Sequence, residues 1–413
     1  VSLTASRANE GPYQSCLYTH LQDQPVSTVT ALSAEKNAYT RDEAVAEARR
    51  CLQCECLECV KACEYLSEYA AYPKKYARTI YNNLSIVMGE RKANKMINSC
   101  SLCGLCAEIC PNDVDMGTLC KEARQTMVAQ DRMPPSAHDF ALRDLQFSNS
   151  EQFHLARHQP GRQTSAYLFF PGCQLSASSP GQTQQVYTYL SQKLDGGVGL
   201  LLHCCGIPAD WAGRKDLFQT ALDEISQQHD EMGRPSVILA CSSCYQVFKQ
   251  NLPDIKIVSL WEILDQLGLP PNLLQHNSAP VSIHDPCSSR HEPQVHASVR
   301  HLLDQAGYQI EELPLSREKT TCCSYGGEMW LANPELSQKV VKRRINDSPL
   351  DYITYCAVCR DFFAMRGKRA LHLLDLIWGN DYDKCATRRA PDYSLRHANR
   401  IHLKKQLLKE IWG

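Results

Sequence analysis

The chain has 413 residues, with 44 basic and 45 acidic side chains and a formal net charge of −1, so no overall electrostatic field favours nucleic acid or anionic lipid as a partner. Its longest apolar runs, such as 165–170 and 236–241, are far shorter than the ~18 residues expected of a membrane span. We therefore predict a soluble chain of two or three domains. No charged-then-apolar leader follows Val1, so nothing indicates export, and we expect a cytoplasmic location.

Cysteine is the residue type that stands out. The 22 cysteines are less dense than in a small disulfide scaffold, and the chain is large enough to fold without disulfides. Their number favours metal binding, and their spacing is more informative than their number.

The first forty residues are polar and irregular. The segment 40–50, TRDEAVAEARR, then predicts a helix with Thr40 as its N-cap and acidic residues in its first turn. It leads into a cysteine run, C-x2-C-x4-C-x3-C, formed by Cys51, Cys54, Cys59 and Cys63. This run, with RCLQC, resembles the cysteine-rich entry segment of the glutamate synthase small subunit. Cys56 lies inside the loop, and an alternative set uses it in place of Cys54 or Cys59.

A second run is more regular. Cys100, Cys103, Cys106 and Cys110, followed by Pro111, have the C-x2-C-x2-C-x3-C-P spacing that wraps a cubane [4Fe-4S] cluster. A zinc site is the weaker interpretation, because zinc favours two separated cysteine pairs. By analogy with two-cluster ferredoxins, we expect crossed sharing. One cluster would be held by Cys51, Cys54, Cys59 and Cys110, and the other by Cys100, Cys103, Cys106 and Cys63.

A helix is predicted near 118–129, and the cysteine-free stretch 133–165 is predicted to be an interdomain linker because Pro, Ser, His, Asn and Gln predominate there. Beyond it, short apolar segments at 166–170, 198–202, 236–240 and 256–260 alternate with amphipathic helical segments. This alternation predicts a mostly parallel sheet covered by helices.

The order of the later cysteines is repeated. One cysteine, an adjacent pair and a C-x-x-C recur 114, 118 and 115 residues downstream, which indicates a duplicated module. We name the first set Cys173, Cys204, Cys205, Cys241 and Cys244, and the second set Cys287, Cys322, Cys323, Cys356 and Cys359. Each set should converge at the carboxyl ends of neighbouring strands. Adjacent thiolates diverge too far to bind one iron as an ordinary pair, but they can hold different irons of a larger cluster.

The pattern resembles the cysteine-rich CCG domain of the heterodisulfide reductase catalytic subunit. The first copy has FFPGCQLS, HCCGIP and LACSSCY, and the second has HDPCSSR, TCCSYGG and TYCAVC. The fusion of a two-cluster ferredoxin module to two such domains is similar to that in heterodisulfide reductase and in the iron–sulfur subunits of anaerobic glycerol-3-phosphate dehydrogenase and glycolate oxidase. The resemblance implies a noncubane [4Fe-4S] cluster on each set, with the two clusters facing each other across a substrate disulfide.

We therefore expect an α+β chain. A mostly helical ferredoxin-like domain at 1–132 and the linker at 133–165 precede two tandem α/β cysteine-rich domains, 166–275 and 276–380, in a pseudo-two-fold arrangement. A docking segment at 381–413 follows.

Two features depart from the family pattern. Ser324 replaces the Gly that follows the second adjacent pair, and neither C-x-x-C contains the common Pro. Ligation stays plausible, but the close backbone approach that Gly allows is in question. Zinc, or buried free thiols in one copy, is the alternative.

Several residues fall outside these sets. Cys16, Cys56, Cys120 and Cys385 are unassigned and are expected to be buried free thiols. His203, and His284 with Asp285, precede cluster cysteines and are candidate proton donors, although structural histidines are the favoured interpretation. The basic stretches 341–344 and 387–389 are expected to be solvated. The apolar face Ile401, Leu407, Leu408 and Ile411 is compatible with docking on a partner or with an ordinary surface helix.

These features predict an iron–sulfur oxidoreductase subunit of anaerobic metabolism, with two cubane and two noncubane clusters. A flavoprotein or another electron-transfer subunit of a larger complex would supply the electrons, and any membrane contact would be made through a partner. No Gly-rich phosphate loop follows a predicted strand, so no flavin or nicotinamide is expected on this chain. The chain would act on a disulfide/dithiol couple, as a small-molecule substrate. The alternatives are a pure electron relay to a quinone-linked or bifurcating partner and, more weakly, a zinc scaffold; no catalytic residue is assigned.

Overall fold

A computed structural model describes residues 40–49, 57–69, 72–110, 113–271, 273–274 and 279–413. Cys16, Cys51, Cys54 and Cys56 lie outside the described residues. The N-terminal region is helical: α1 (Arg41–Arg49), α2 (Glu58–Ala62), α3 (Glu64–Glu68), α4 (Pro73–Tyr81), α5 (Asn94–Asn98), α6 (Leu105–Ile109) and α7 (Met116–Ala129). The predicted cap of α1 is confirmed, because the Thr40 N–H donates to Glu43 Oε2 at 2.7 Å and the Glu43 N–H to Thr40 Oγ1 at 3.4 Å.

The first cysteine-rich copy is built on a five-stranded sheet of order β1-β3-β2-β4-β5. The strands are β1 (Leu155–Arg157), β2 (Tyr167–Phe170), β3 (Val198–Leu202), β4 (Ser236–Leu239) and β5 (Ile257–Ser259). All pairs are parallel except β1 with β3. The helices are α8 (Asp139–Asn149), α9 (Cys173–Ser178), α10 (Pro180–Lys193), α11 (Ile207–Trp211), α12 (Lys215–Glu231), α13 (Ser242–Asn251) and α14 (Leu260–Leu267). The predicted parallel α/β architecture is confirmed.

The second copy repeats this order in a fully parallel sheet, β7-β6-β8-β9. Its strands are β6 (Val281–His284), β7 (Ile310–Glu312), β8 (Tyr352–Thr354) and β9 (Ala370–His372). The helices that follow in the chain are α15 (Pro293–Gln305), α16 (Met329–Ala332), α17 (Pro334–Ile345), α18 (Ala357–Ala364), α19 (Leu373–Trp378), α20 (Tyr382–Thr387) and α21 (Tyr393–Glu410). Strand for strand, β6 to β9 correspond to β2 to β5, as expected of a duplicated module. Within the described ranges, no helix has the length and apolar character that a membrane span requires.

The predicted linker 133–165 is largely structured, which corrects the sequence interpretation. It contains α8 and β1, and β1 pairs antiparallel with β3 from Leu155 opposite Leu202 to Arg157 opposite Leu200. Most of its residues are polar, so its composition did not predict that Phe153 and Leu155 are buried in the core of the first copy. The first sheet therefore begins before residue 166.

The C-terminal segment packs on the rest of this chain. Leu403 and Leu407 of α21 are fully buried in one core with Val186 and Leu190 of α10. Trp412 stacks on Tyr187, with the ring centroids 5.4 Å apart. Of the predicted apolar face, Leu407 is buried in this core, Leu408 and Ile411 are half-buried against it, and Ile401 is half-buried.

The two basic stretches are not simply solvated, a second correction. Arg344 is 1% exposed, and its Nε donates to His284 Nδ1 at 3.2 Å. Arg343 donates to Glu64 Oε1 at 2.9 Å and so joins α17 to the helical region. Arg388 donates to the Ser178 carbonyl at 2.9 Å and pairs with Asp375. Arg343 and Arg388 thus join separate parts of the fold, and Arg344 supports the second copy internally.

Candidate metal centres

The first set meets at one edge of its sheet. Cys173 opens α9 after β2, the adjacent pair follows β3, and Cys241 and Cys244 follow β4. Because β3, β2 and β4 are parallel neighbours, their carboxyl ends bring the five thiols together. Cys173 Sγ donates to Cys204 Sγ at 3.3 Å. Further thiol contacts join Cys204 to Cys205, Cys205 to Cys244 and Cys244 to Cys241.

The environment of the first set divides its thiols into two groups. Hydrogen bonds from Cys204 and Cys244 lower the pKa of Cys205 to about 6, and one from Cys244 lowers the pKa of Cys241 to about 7. Cys173 donates to Cys204 and is buried, which raises its pKa well above the ordinary value. The thiolate is the form that binds metal. Cys205 and Cys241 therefore have pKa values near neutral. The other three thiols would lose their protons when a metal ion binds.

The second set has the same connectivity. Cys287 begins a turn after β6, the adjacent pair lies in the loop after β7, and Cys356 and Cys359 follow β8. Thiol contacts run from Cys287 through Cys322, Cys323 and Cys359 to Cys356. Cys359 Sγ and Cys323 Sγ are 3.2 Å apart. Each set is thus a chain of five sulfurs in the same order.

The residue after each adjacent pair adopts the left-handed backbone conformation. Gly206 has φ 83° and Ser324 has φ 73°. The turn therefore survives the Gly-to-Ser change that the sequence raised as a concern, although a side chain is strained there. Ser324 Oγ lies 2.8 Å from Ser337 Oγ, and its N–H donates to Cys322 Sγ at 3.2 Å. These contacts offset the strain.

The regular N-terminal run is close to Cys63. Burial, and to a lesser degree the charge of the nearby Cys103, raises the pKa of Cys63 to about 12. Cys106 interacts electrostatically with both Cys103 and Cys63. This grouping of Cys63, Cys100, Cys103 and Cys106, the N-terminal set, is compatible with the crossed sharing that we predict. Cys59 is buried and Cys110 half-buried, and their predicted partners Cys51 and Cys54 lie outside the described residues.

Two of the unassigned cysteines are buried, as expected. Cys120 is fully buried and forms hydrogen bonds with Cys100 and with the Tyr65 hydroxyl, the latter at 3.4 Å. Cys385 is 9% exposed. Cys120 is therefore next to the N-terminal set, although its sequence position gives no sign of this.

The N-terminal set directly adjoins the second set. The thiols of Cys103 and Cys322 are hydrogen-bonded. Both line one cavity together with Cys63, and Lys61, Arg343 and Arg344 line it as well. Arg290 donates to the Cys103 carbonyl at 3.0 Å and to the Thr320 carbonyl at 2.9 Å, fixing this junction.

A second cavity lies between the two copies, and we call it the inter-copy cleft. The complete first set lines one side, with Leu175 and Trp211. The second copy contributes Tyr325, Cys356 and His372. The first set and a cysteine of the second set therefore face one space.

The histidines beside the cysteines make contacts within the protein. His203 Nδ1 donates to the Cys204 carbonyl at 2.8 Å, and its Nε2 lies 3.2 Å from Glu224 Oε2. His284 is buried, which lowers its pKa to about 3, so it is neutral. Asp285 pairs with Arg300 at 2.9 Å. These contacts are compatible with a structural role, although His284 Nε2 is a buried ring nitrogen without a hydrogen-bond partner among the described residues.

Three buried arginines near the cysteines were missed by sequence reasoning. Arg124 is fully buried and donates to the carbonyls of Ile97, Cys100, Trp211 and Gly327. Arg400 donates to the Cys173 carbonyl at 3.0 Å and to Asp144 Oδ1 at 2.6 Å. Arg290 is the third. Their sequence separations from the cysteines carry no periodic signal that could have revealed them.

The donor chemistry of the sets fits iron–sulfur clusters. The two sets contain ten cysteine sulfurs, eight of them on buried residues, and cysteine thiolates are the ligands that iron–sulfur clusters use. A Cβ at Gly172 would lie 3.1 Å from Cys244 Sγ, so the backbone approaches the first set closely. In the part of the chain that the structure describes, no three His, Cys, Asp or Glu side chains surround a single point as ligands of one ion would.

Comparisons with known proteins agree with this composition. Residues 50–115 match the 4Fe-4S dicluster domain family, and residues 167–249 and 281–360 each match the cysteine-rich domain family. Together the matches cover more than half of the 413 residues.

Three of the similar curated proteins are oxidoreductases or subunits of oxidoreductases. The chain is 22% identical to a subunit of the fumarate reductase (CoM/CoB) of Methanothermobacter marburgensis, over 79% of this chain and 72% of that protein. It is 20% identical to a subunit of the dihydromethanophenazine:CoB–CoM heterodisulfide reductase of Methanosarcina barkeri, over 71% and 82% of the two chains. The EtfAB:quinone oxidoreductase of Syntrophomonas wolfei is 26% identical over 48% of this chain and 31% of its own length.

Two copies of one cysteine-rich fold, a dicluster region in front of them and relatives among heterodisulfide reductase subunits lead to one assignment. The chain belongs to the heterodisulfide reductase-like iron–sulfur proteins that join a 4Fe-4S dicluster domain to tandem cysteine-rich domains.

Proposed function

We propose that the chain is an electron-carrying subunit whose two cysteine-rich copies form one site for a disulfide/dithiol couple. The observation that carries the proposal is the inter-copy cleft, where the complete first set and Cys356 of the second set line one cavity. A single relay cluster would not require a second cysteine set to open onto the same space. The reaction is R–S–S–R plus two electrons and two protons giving two R–SH, with the electrons supplied by a flavoprotein partner.

The residues that would hold cofactors follow from the sets. The first and second sets would each hold a noncubane [4Fe-4S] cluster, the N-terminal set one cubane, and Cys51, Cys54, Cys59 and Cys110 the other. When bound, such clusters supply single-electron transfer and an iron centre that can accept a sulfur ligand. No flavin or nicotinamide is assigned to this chain.

The side chains of this protein determine the shape of the cleft and make it apolar. Trp211, Tyr325 and Leu175 line the cleft with apolar surface and exclude water. The Trp211 and Tyr325 rings meet edge to face, with their centroids 6.0 Å apart. The Cys103–Cys322 hydrogen bond supports entry of electrons through the second copy.

A pure electron relay is the second candidate. The same Cys103–Cys322 junction supports it, because close approach of the N-terminal and second sets serves a relay equally well. The similarity to an EtfAB:quinone oxidoreductase also favours it. A relay needs no open cleft between the copies.

The first test is metal content. Anaerobically purified protein is expected to contain about sixteen irons per chain, matching acid-labile sulfide and negligible zinc, as four [4Fe-4S] clusters require. Cys204→Ser and Cys323→Ser should each lower iron by about four, as loss of one [4Fe-4S] cluster requires. Cys385→Ser, the matched control, should leave iron unchanged. About eight irons in the parent chain, as two clusters would give, with zinc or nothing in the rest, would contradict the paired site.

The second test is turnover. The same protein, given reduced viologen as electron donor, should reduce a small disulfide to two thiols, and Cys204→Ser and Cys323→Ser should each abolish this. If electrons reach all clusters in the parent protein but no disulfide is reduced, the relay is the better description.

A further inference from the structure

One surface of the N-terminal region combines exposed apolar side chains with an excess of positive charge. It is formed by residues 72–95, which comprise α4, the turn 82–86 and the loop that leads into α5. We call it the basic-apolar face. Eight large apolar side chains are exposed among the described residues, and half of them belong to this face: Tyr72, Tyr81, Ile86 and Met88. Such clustering at a surface is typical of a contact site for another molecule.

The positive charge of the face is not neutralised within the described part of the chain. Residues 72–95 contain one acidic side chain, Glu90, and six basic ones: Lys74, Lys75, Arg78, Arg91, Lys92 and Lys95. The whole chain has a formal net charge of −1, so the rest of it is acidic on balance. Lys74, Lys75 and Arg78 are exposed and form no ion pair with a described residue. The face is therefore a local source of positive potential.

The face is a preformed surface, because hydrogen bonds hold its loop in place. The Arg91 guanidinium donates to the carbonyls of Asn83 and Val87, the latter at 2.8 Å. Asn83 Nδ2 donates to Asn94 Oδ1 at 2.8 Å. Met88 lies on this folded-back loop and is 96% exposed. Its side chain gains no hydrophobic free energy in the free chain, but it would gain some beneath a partner.

The opposite side of α4 packs on the N-terminal set. Tyr76 and Ile80 are buried in one core with Cys100 and Cys106. The remaining side of the helix belongs to the basic-apolar face, and a helix with its side chains is about 10 Å wide. A protein seated on the face would thus lie about one helix diameter from cysteines that are expected to hold a cubane cluster.

The charge of the face decides among its candidate occupants. Residues 1–39 lie outside the described residues and contain three acidic and two basic side chains, so they supply almost no opposite charge. A symmetric contact between two copies would bring like charges together. An anionic membrane has the opposite charge, but Tyr76 and Ile80 turn the apolar side of α4 to the core, whereas a membrane-surface helix buries that side in lipid. An acidic protein surface matches both the charge and the exposed apolar side chains.

We propose that the basic-apolar face docks an acidic electron-transfer protein, which gives single electrons to the N-terminal region. The proposal rests on the electron-carrying role proposed above, which the disulfide site and the relay share, and it assigns the surface and the charge of the donor. In each transfer the donor is oxidised by one electron and this chain is reduced by one, and no covalent bond is made or broken. Opposite charges speed the encounter, and the apolar side chains stabilise the complex.

Charge reversal tests the electrostatic part of the proposal. The probe is flavodoxin hydroquinone, a small acidic electron donor, mixed with the anaerobic full chain while formation of flavodoxin semiquinone is followed by stopped flow. Lys74→Glu combined with Arg78→Glu should lower the second-order rate constant at low salt by at least about tenfold, because electrostatic steering is lost. The difference should shrink as salt screens the charges.

The matched control reverses the same number of charges elsewhere. Lys405→Glu combined with Lys409→Glu changes two exposed positions of α21, and this variant should react with flavodoxin as the parent chain does. Reduced methyl viologen needs no docking surface, so it should reduce both double variants at least as fast as the parent. That result would show that the variants are folded and that they accept electrons.

Met88→Ser tests the apolar part of the proposal. Loss of one methionine from the contact should weaken the complex of the oxidised proteins about five- to tenfold, at high as well as at low salt. Calorimetry measures this affinity. Met365→Ser is the control, because Met365 is also exposed but belongs to the second copy, and it should leave the affinity unchanged.

Three outcomes would overturn the proposal. The first is an equal flavodoxin rate constant in the charge-reversed variant and its control, or a parent rate constant that does not fall with salt. The second is failure of Lys74 and Lys75 to react with an acetylating reagent in the free chain, since another part of the chain would then cover them. The third is binding to phosphatidylglycerol vesicles that charge reversal abolishes while the flavodoxin rate constant is unchanged.

The docking face and the disulfide site can fail separately. If flavodoxin reduces the parent chain in the salt-dependent manner expected and no disulfide is reduced, the docking face stands and the disulfide/dithiol function is refuted. If disulfides are reduced with viologen as donor but charge reversal does not change the flavodoxin rate constant, the docking face is refuted and the disulfide/dithiol function stands.

Discussion

The two cysteine-rich copies share one fold and one order of sulfurs, yet different parts of the chain enclose them. The first set is supported by α21, because Arg400 of this helix donates a hydrogen bond to the Cys173 carbonyl. The second set is reached by the N-terminal region, where Cys103 contacts Cys322. Duplication therefore gave two domains with the same fold. The segments packed around each domain give the two cysteine sets different surroundings.

This difference suggests a division of labour. The second copy adjoins the N-terminal set and also supplies Tyr325 and His372 to the inter-copy cleft, whereas the first copy supplies its complete cysteine set. The copy that is closer to the N-terminal set thus contributes one cysteine and the rings of Tyr325 and His372 to the cleft, and the other copy contributes five cysteines.

The largest effect is expected from removing the residue that joins both copies to the N-terminal region. Arg124→Ala leaves three buried carbonyls, those of Ile97, Cys100 and Gly327, and the part-buried carbonyl of Trp211 without this donor. We expect a loss of about 3–5 kcal/mol in the free energy of unfolding, measured by denaturant titration of the anaerobic protein.

Arg132→Ala is the control, because Arg132 lies on the surface and donates to Leu84 and Gln130 within the same region. A loss for Arg124→Ala no larger than for this control would contradict the joining role.

The next prediction separates the copies. Arg400→Met leaves Asp144, which is 6% exposed, without its guanidinium partner in the first copy. Arg300→Met does the same to Asp285 in the second. Each should cost about 3–5 kcal/mol. In hydrogen exchange, each variant should lose protection in its own copy first; loss in both copies together would mean that the copies unfold as one unit.

The dependence of stability on pH follows from the same pairs. Burial opposes ionisation of Asp285, but the hydrogen bonds and charge of Arg300 prevail and lower its pKa to about 2. A folded-state pKa below the unfolded value of about 3.9 stabilises the fold above that pH, and the stabilisation is lost as pH falls. Between about pH 6 and about pH 3 we expect the stability advantage over Asp285→Asn to shrink by about 1 kcal/mol.

Denaturant titrations of the two proteins at both pH values would measure this difference. An advantage that stays constant would mean that the Asp285 carboxylate does not titrate as its pairing implies.

The last prediction concerns the turn after each adjacent pair. Gly206→Ser should cost about 1–3 kcal/mol, since a Cβ there would lie 2.8 Å from the Ala221 Cβ. Ser324→Gly relieves a left-handed serine but loses the contact with Ser337. Its net change should stay within about 1 kcal/mol. Thermal unfolding midpoints compare the two, and equal shifts would show that the turns are equivalent after all.

The sequence was sufficient for features that depend on local pattern. Strand and helix periodicity predicted the mostly parallel first sheet, and repeated cysteine spacing predicted the duplication that the second sheet displays. The prediction of a linker at 133–165 was wrong because a short edge strand such as β1 needs few apolar residues of its own when it pairs with β3. The prediction that the basic stretches are solvated was also wrong, because Arg344 is buried by contacts with residues that are distant in sequence, such as His284.

By itself, the sequence determined that this is a cysteine-rich iron–sulfur protein with a duplicated α/β module, because cluster spacing and strand alternation are local along the chain. Only the tertiary structure decided which cysteine sets adjoin one another, which arginines support them and which side chains line the inter-copy cleft. Cys103 and Cys322, or Cys173 and His372, are about two hundred residues apart in the sequence. Residues so far apart meet only through packing between domains, and no periodic pattern records that packing.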